Sequence, residues 1–345
     1  MNHPMIPVAA SRFGEHLAQR PACPGMAEDM LTAEGRRRIP QLHPHYVFTS
    51  EVFDDLSEWW RSAPTEPLVI SGPTGSGKTS AVLEWCARLR MPVVSVTARA
   101  RMDKRELLGR WVLESGAMRW VDGPAALAWR HGWLLLVNEY SAAPPEMWVS
   151  ANDLLEGLPL EIDQTGEILP KHPCARVVLT DNTRGHAAES GEGYFGRHLQ
   201  DRSVVDRCWH MRIEGLSEED EAELLLKTVP ERTRLRAGEE RLREVCAKLA
   251  QAAAESRTAA SRPVLGFEAR STAISHRALA RMAGIAARYV SGEGPSTAKP
   301  VERLADFALG RALEPDVRDA LVICLSHSLG DMLERMRAEA APSCE

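Results

Sequence analysis

Gly72-Pro73-Thr74-Gly75-Ser76-Gly77-Lys78-Thr79 follows the apolar run Pro67-Leu68-Val69-Ile70-Ser71 with no residue between them. The octet is a complete Walker A phosphate loop. Its glycines at 72, 75 and 77 let the backbone turn tightly and aim successive N–H groups inward, while Lys78 reaches the β and γ phosphates and Thr79 offers its hydroxyl to Mg²⁺. Strand, loop and a following helix over 80–89 occur in the order this chemistry requires. The stretch from Gly72 to Ser80 is therefore expected to cradle ATP and Mg²⁺.

Working outward, short apolar runs alternate with helical patterns. A helix is expected over 51–61, strands over 67–71 and 92–97, a helix over 104–108, a hairpin through Gly116, a helix over 124–131 and a strand over 133–137. A helix over 144–155, a second hairpin over 158–169 turning at Gln164-Thr165-Gly166, and strands over 176–181 and 208–213 complete the series. That rhythm predicts a parallel sheet covered by helices, an α/β nucleotide-binding domain at 45–215. After Gly215 the composition changes to acidic and Ala-rich helical segments near 238–257, 275–290, 300–312 and 315–338, an all-helical lid domain at 216–345. Residues 1–44 carry six prolines and little periodicity, which reads as an irregular arm.

The strand Leu134-Leu135-Leu136-Val137 ends in Asn138-Glu139, as a Walker B element does. Beside the phosphate-loop strand it would deliver Asn138 to the water shell of the metal and Glu139 to the water that attacks the γ phosphate. Asn at 138 accepts a hydrogen bond but lacks the negative charge of the Asp usual in P-loop ATPases, so weaker metal affinity or slower turnover is expected.

Asn138-Glu139-Tyr140-Ser141-Ala142-Ala143-Pro144-Pro145-Glu146 resembles the Walker B stretch of MoxR-type AAA+ ATPases. Within that family His172-Pro173, the strand 177–183 and Val205-Asp206-Arg207-Cys208-Trp209 are similar to the ATPase subunit of aerobic cobaltochelatase. The resemblance covers roughly residues 45–290. It implies that Asn182 is the sensor 1 residue, that Arg207 is an arginine finger acting on a neighbouring subunit, with Arg202 and Arg197 as rivals, and that Arg277 is the sensor 2 cation. Such fingers contribute ~10³ to 10⁵ in rate. It also implies a hexameric ring of identical subunits, a partner carrying a von Willebrand A type domain, and hairpins that transmit nucleotide state to a client.

Composition bounds the alternatives. The 345 residues are 44% hydrophobic and 26% charged with net charge −6, so no global positive field favours nucleic acid. Seven cysteines without a C-x-x-C pair argue against a disulfide framework and fit a reducing cytoplasm. No signal peptide or membrane span is expected. His172, Cys174, His186, His198, Cys208 and His210 lie close in sequence without a metal-ligand spacing, and the Gly-rich loop 185–196 reads as a plain connection. Trp59, Trp85, Trp129, Trp133 and Trp148 are expected in the core. Three function classes remain open: an ATPase chaperone or metal-insertion motor that remodels a partner, a motor in a nucleic-acid complex, and a slow nucleotide switch or scaffold.

Overall fold

A computed structural model of the chain describes residues 5–62, 65–182, 198–260, 273–293, 299–308 and 315–340. The described residues fall into two units, the first comprising 5–73, 77–182 and 198–214 and the second 74–76 with 215–340.

The first unit begins with a two-stranded antiparallel pair, β1 (Ile6–Val8) and β2 (Cys23–Gly25), and the short helix α1 (Ala33–Arg38). Then come α2 (Ser50–Ser62), β3 (Leu68–Ser71), α3 (Lys78–Leu89), β4 (Val93–Thr97) and α4 (Lys104–Leu108). A hairpin of β5 (Gly109–Glu114) and β6 (Ala117–Asp122) precedes α5 (Pro124–His131) and β7 (Leu134–Asn138). The helices α6 (Pro145–Ser150) and α7 (Asn152–Leu155) lead into a second hairpin, β8 (Leu160–Ile162) and β9 (Glu167–Leu169). Last are β10 (Arg176–Asp181), α8 (Arg202–Asp206) and β11 (Trp209–Arg212).

Five strands form one all-parallel sheet in the order β11-β3-β10-β7-β4. Side chains alternate across it, so consecutive apolar residues feed two cores. Leu68, Ile70, Leu134, Leu136 and Val178 point to one, and Val69, Leu135, Val137, Val177 and Leu179 to the other. The parallel registers bring Ser71, Asn138 and Asp181 to the carboxyl ends of neighbouring strands, the edge where open α/β sheets bind ligands.

Where residues are described the expected elements are present, with two corrections and one addition. The segment 5–38, expected as part of an irregular arm, packs on the first unit: Phe13, Leu17, Cys23 and Met26 are buried in the same core as Trp85, and Met26 N–H donates to Leu89 O at 2.9 Å. These apolar residues follow no helical or strand period, so periodicity does not reveal them. The helix expected over 144–155 is broken at Ala151, whose N–H is shared between the carbonyls of Met147 and Trp148. All five tryptophans assigned to the core are buried.

In the second unit the described helices are α9 (Glu218–Thr228), α10 (Glu231–Ala237), α11 (Glu239–Ala260), α12 (His276–Val290), α13 (Pro300–Ala308), α14 (Pro315–Leu329) and α15 (Met332–Ala340). Leu242, Val245, Leu249, Leu279, Met282 and Leu325 share its core. The single helix expected over 315–338 is two, because Gly330 at φ 52° closes α14 in the left-handed region. Among the described residues no helix is long and apolar enough to cross a membrane. The expected segment 309–312, the loop 185–196, His186 and Arg197 lie outside the described residues.

Candidate nucleotide site

The phosphate loop leaves β3 and enters α3 with Gly75 at φ 81° and Gly77 at φ 92°, backbone that side chains bearing a Cβ rarely adopt. These two positions need glycine. Lys78 opens α3, is buried, and donates from Nζ to Gly72 O at 2.8 Å and Pro73 O at 2.7 Å. Burial pulls its ammonium down from the usual 10.5 to about 8, opposed by the carboxylates of Glu139 and Asp181. A strongly anionic neighbour would relieve that cost. Ser76 Oγ is buried with no hydrogen-bond partner among the described residues, and it lies within a loop of donors at a helix start, so the residues present fit a phosphate group.

Beside the loop, Thr79 Oγ1 donates to Asn138 Oδ1 at 2.9 Å. Asn138 also accepts from Thr180 Oγ1 at 3.4 Å and donates from Nδ2 to Ser95 Oγ at 2.9 Å, which fixes its amide orientation. Thr79 and Asn138 offer the neutral oxygen ligands that suit Mg²⁺ or its bound water. Glu139 follows in a left-handed conformation at φ 58°, unusual for a residue other than glycine. Its carboxylate accepts from Asn182 Nδ2 at 2.6 Å. Thus Lys78, Thr79, Asn138, Glu139 and Asn182, chosen from the sequence, lie along one end of β3, β7 and β10.

Two chosen arginines are held differently. Arg207 caps α8, donating from Nε to Glu156 Oε1 at 2.6 Å and from Nη1 to Ser203 O at 2.7 Å. It engages its own chain there. Arg277, in the second unit, is exposed on α12. The start of that helix is fixed by the buried Glu221, which accepts two bonds of 2.9 Å from Arg257 and lies 3.1 Å from His276 Nδ1.

Sequence reasoning passed over Ser95, Ser141, Glu156, Thr180 and Asp181. Strand register brings Ser95, Thr180 and Asp181 to the site, the turn after β7 carries Ser141, and Glu156, at the end of α7, is held against Arg207. The Thr180-Asp181-Asn182 run was the one available signal. Among the described residues no group of three or more His, Cys, Asp and Glu side chains could hold a metal ion, and His172 Nδ1 accepts instead from the Cys174 N–H at 3.1 Å.

Residues 67–202 match the family model described as an AAA domain of the dynein-related subfamily. The chain is 27% identical over 192 residues to midasin of Dictyostelium discoideum, covering 54% of this chain and 3% of midasin. It is 33% identical over 145 residues to the protein NorQ of Paracoccus denitrificans, covering 42% of this chain and 50% of NorQ. It is 29% identical over 181 residues to the aerobic cobaltochelatase subunit CobS of a Sinorhizobium species, covering 51% and 53%. The chain spans about half the length of these last two relatives and a small fraction of midasin. CobS is one relative among several of comparable identity, which broadens the cobaltochelatase resemblance to the family as a whole.

Proposed function

We propose a function that proceeds from what the chain is, a MoxR-family AAA+ ATPase: it couples ATP hydrolysis to the remodelling of a partner protein or complex. The hydrogen bond from Asn182 to Glu139, formed beside the Thr79–Asn138 pair, is the observation that carries this reading. It supports Glu139 as the base that takes the proton of the attacking water and Asn182 as the amide that orients its carboxylate. Lys78 would balance charge on the β and γ phosphates, and Thr79 with Asn138 would hold Mg²⁺. When bound, the metal withdraws electron density from the phosphoryl group being transferred. Because the carboxylate is already tethered, little reorganisation is needed when water arrives.

The working unit in this reading is a hexameric ring, divided in each subunit into a nucleotide domain at 45–215 and a lid at 216–345. Arg207 would exchange Glu156 for the γ phosphate on an adjacent subunit, and Arg277 would tie the lid to nucleotide state. The hairpins β5–β6 and β8–β9 would meet the client or a von Willebrand A type partner. Exposed Trp111, Leu113, Met118 and Ile168 on them support that role. Metal insertion remains one version of the remodelling, in keeping with the name of the CobS relative.

A second reading, a slow nucleotide switch, is favoured by Asn138, which removes a charge from the metal's surroundings. Turnover measurements separate the two. Glu139→Gln should bind ATP as the parent does and lose ~10²-fold or more in turnover, whereas Lys78→Ala should lose binding. Parental turnover in Glu139→Gln would remove the proposed base, and a parental rate that is itself negligible in the presence of a partner would favour the switch.

A further inference from the structure

Glu139 holds a backbone conformation that a residue with a Cβ resists, and such conformations persist only where the surroundings over-determine them. On its N-terminal side the constraint is β7, locked between β4 and β10. On its C-terminal side lies a single tight turn, Tyr140–Ala142, in which Tyr140 and Ser141 are buried. Ser141 is wholly inaccessible, and its Oγ donates to Asp181 Oδ1 at 2.5 Å. Asp181, itself 1% exposed, ends β10 and is bonded in sequence to Asn182, whose amide holds the Glu139 carboxylate.

These contacts close a ring. It runs from the Glu139 carboxylate to Asn182, along one peptide bond to Asp181, through the Asp181 carboxylate to Ser141, and back through Tyr140 to Glu139. Asp181 is the last residue of β10 and Asn182 is the bend that follows it, so two adjacent side chains grip the turn and the base. Burying a carboxylate is costly, and two apolar residues could fill this space without that cost.

We propose that Ser141 and Asp181 are positioning residues for hydrolysis, holding the turn that sets the direction of the Glu139 carboxylate. This rests on Glu139 being the base. They act by keeping Glu139 and Asn182 in fixed relation, where small misplacements of a reacting group lower rate without lowering affinity. The Ser141 carbonyl also accepts from the His198 N–H at 2.9 Å, and Gln200 Nε2 reaches Ala143 O at 3.4 Å, so the same turn anchors the segment leading to α8.

The test uses the full chain, steady-state turnover and equilibrium binding of a fluorescent ATP analogue. Ser141→Ala should lower kcat by ~10-fold or more with nucleotide affinity within about twofold of the parent, and Asp181→Ala, which also removes a carboxylate acting on Lys78, should lower kcat by at least as much. The double variant should be no worse than the weaker single, since both remove one hydrogen bond. Asp181→Asn, which keeps an acceptor for Ser141, should stay within about threefold of the parent in kcat. Parental kcat in Ser141→Ala overturns the proposal, as does a loss of kcat matched by an equal loss of affinity, which is the mark of a structural role. Glu139→Gln serves as the separate arm: if it turns over normally the base is wrong, whereas an inactive Glu139→Gln beside a fully active Ser141→Ala refutes the positioning role alone.

Discussion

Thr79 and Asn138 are joined directly, hydroxyl to amide oxygen at 2.9 Å, across the boundary between α3 and β7. Two neutral groups thus occupy the position where P-loop ATPases ordinarily set a hydroxyl against a carboxylate. Replacing Asn138 by Asp keeps the acceptor for Thr79, and Ser95 can rotate its hydroxyl to donate in place of accepting. The added charge should tighten Mg²⁺ binding in the nucleotide complex by about 1–2 kcal/mol, roughly five- to thirtyfold. Titrating Mg²⁺ against ATP turnover checks this, and an unchanged half-saturation point would show that position 138 does not serve the metal.

Lys78 supplies a pH signature. Its ammonium sits near pH 8 because it is buried, so between about 8 and 10.5 the native chain binds fewer protons than the unfolded one. The stability penalty of the buried charge is accordingly present below about pH 8 and is lifted as pH rises through that window. Phosphates favour the charged form, so ATP binding near pH 8 to 9 should take up a proton, and affinity should fall by up to ~10-fold per pH unit above about 8. Calorimetry in buffers of different ionisation enthalpy measures the proton directly. Equal heats across buffers at pH 8.5 would rule out Lys78 as its acceptor.

Arg207 is occupied by Glu156 of its own chain, through a bond between side chains that are both partly exposed. A contact of this kind is worth little, ~1 kcal/mol or less, and is readily exchanged for a phosphate. Arg207→Ala should therefore lower turnover by ~10³-fold while leaving nucleotide binding intact. If it acts across subunits, mixing Arg207→Ala with Lys78→Ala chains should restore part of the activity, because each supplies what the other lacks. Mixtures as inactive as the separate variants would assign Arg207 a role within its own subunit.

Phe13 tests the N-terminal segment. Its ring lies 4.7 Å from that of Trp85, 5.2 Å from Phe53 and 5.5 Å from Phe48, and Arg88 Nε donates to Arg12 O at 3.0 Å. Trp85 and Arg88 belong to α3, the helix that begins with Lys78. Phe13→Ala should cost about 3–5 kcal/mol and lower Tm by ~10 °C. A melting temperature equal to the parent's would mean that the segment is dispensable.

The parts of this molecule legible in its sequence are those where chemistry demands residue type at fixed spacing. Gly75, Gly77, Lys78 and Thr79 must be what they are to surround phosphates, and Glu139 must follow a buried strand, so motif and position coincide. Helix and strand limits were also readable where periodicity is strong, as at Pro124–His131 and Arg176–Asp181. What escaped depends on contacts between distant residues. Phe13 meets Trp85 without any local pattern, Ala151 interrupts a helix with no proline or glycine to announce it, and Ser141 finds Asp181 only because β7 and β10 are adjacent.

Arg130 joins the two hairpins. From α5 its Nε donates to Asp122 at the end of β6, and its Nη1 and Nη2 donate to the two carboxylate oxygens of Glu167 on β9, at 2.8, 2.8 and 2.9 Å. Hydrogen bonds to both carboxylates raise the Arg130 guanidinium further above its ordinary value, and the Glu167 carboxyl is lowered by the same contact. Partly exposed as it is, the network contributes only about 1 kcal/mol, so Arg130→Met should leave the fold and basal ATP turnover near the parent's. The hairpins, however, lose their shared anchor. Amide exchange should accelerate together in 109–122 and 160–169, and any stimulation of turnover by a client should fall, because a hairpin no longer fixed to α5 transmits motion poorly. Glu167→Gln, which weakens one arm, should affect 160–169 more. Faster exchange confined to a single hairpin in Arg130→Met would mean that the two move independently.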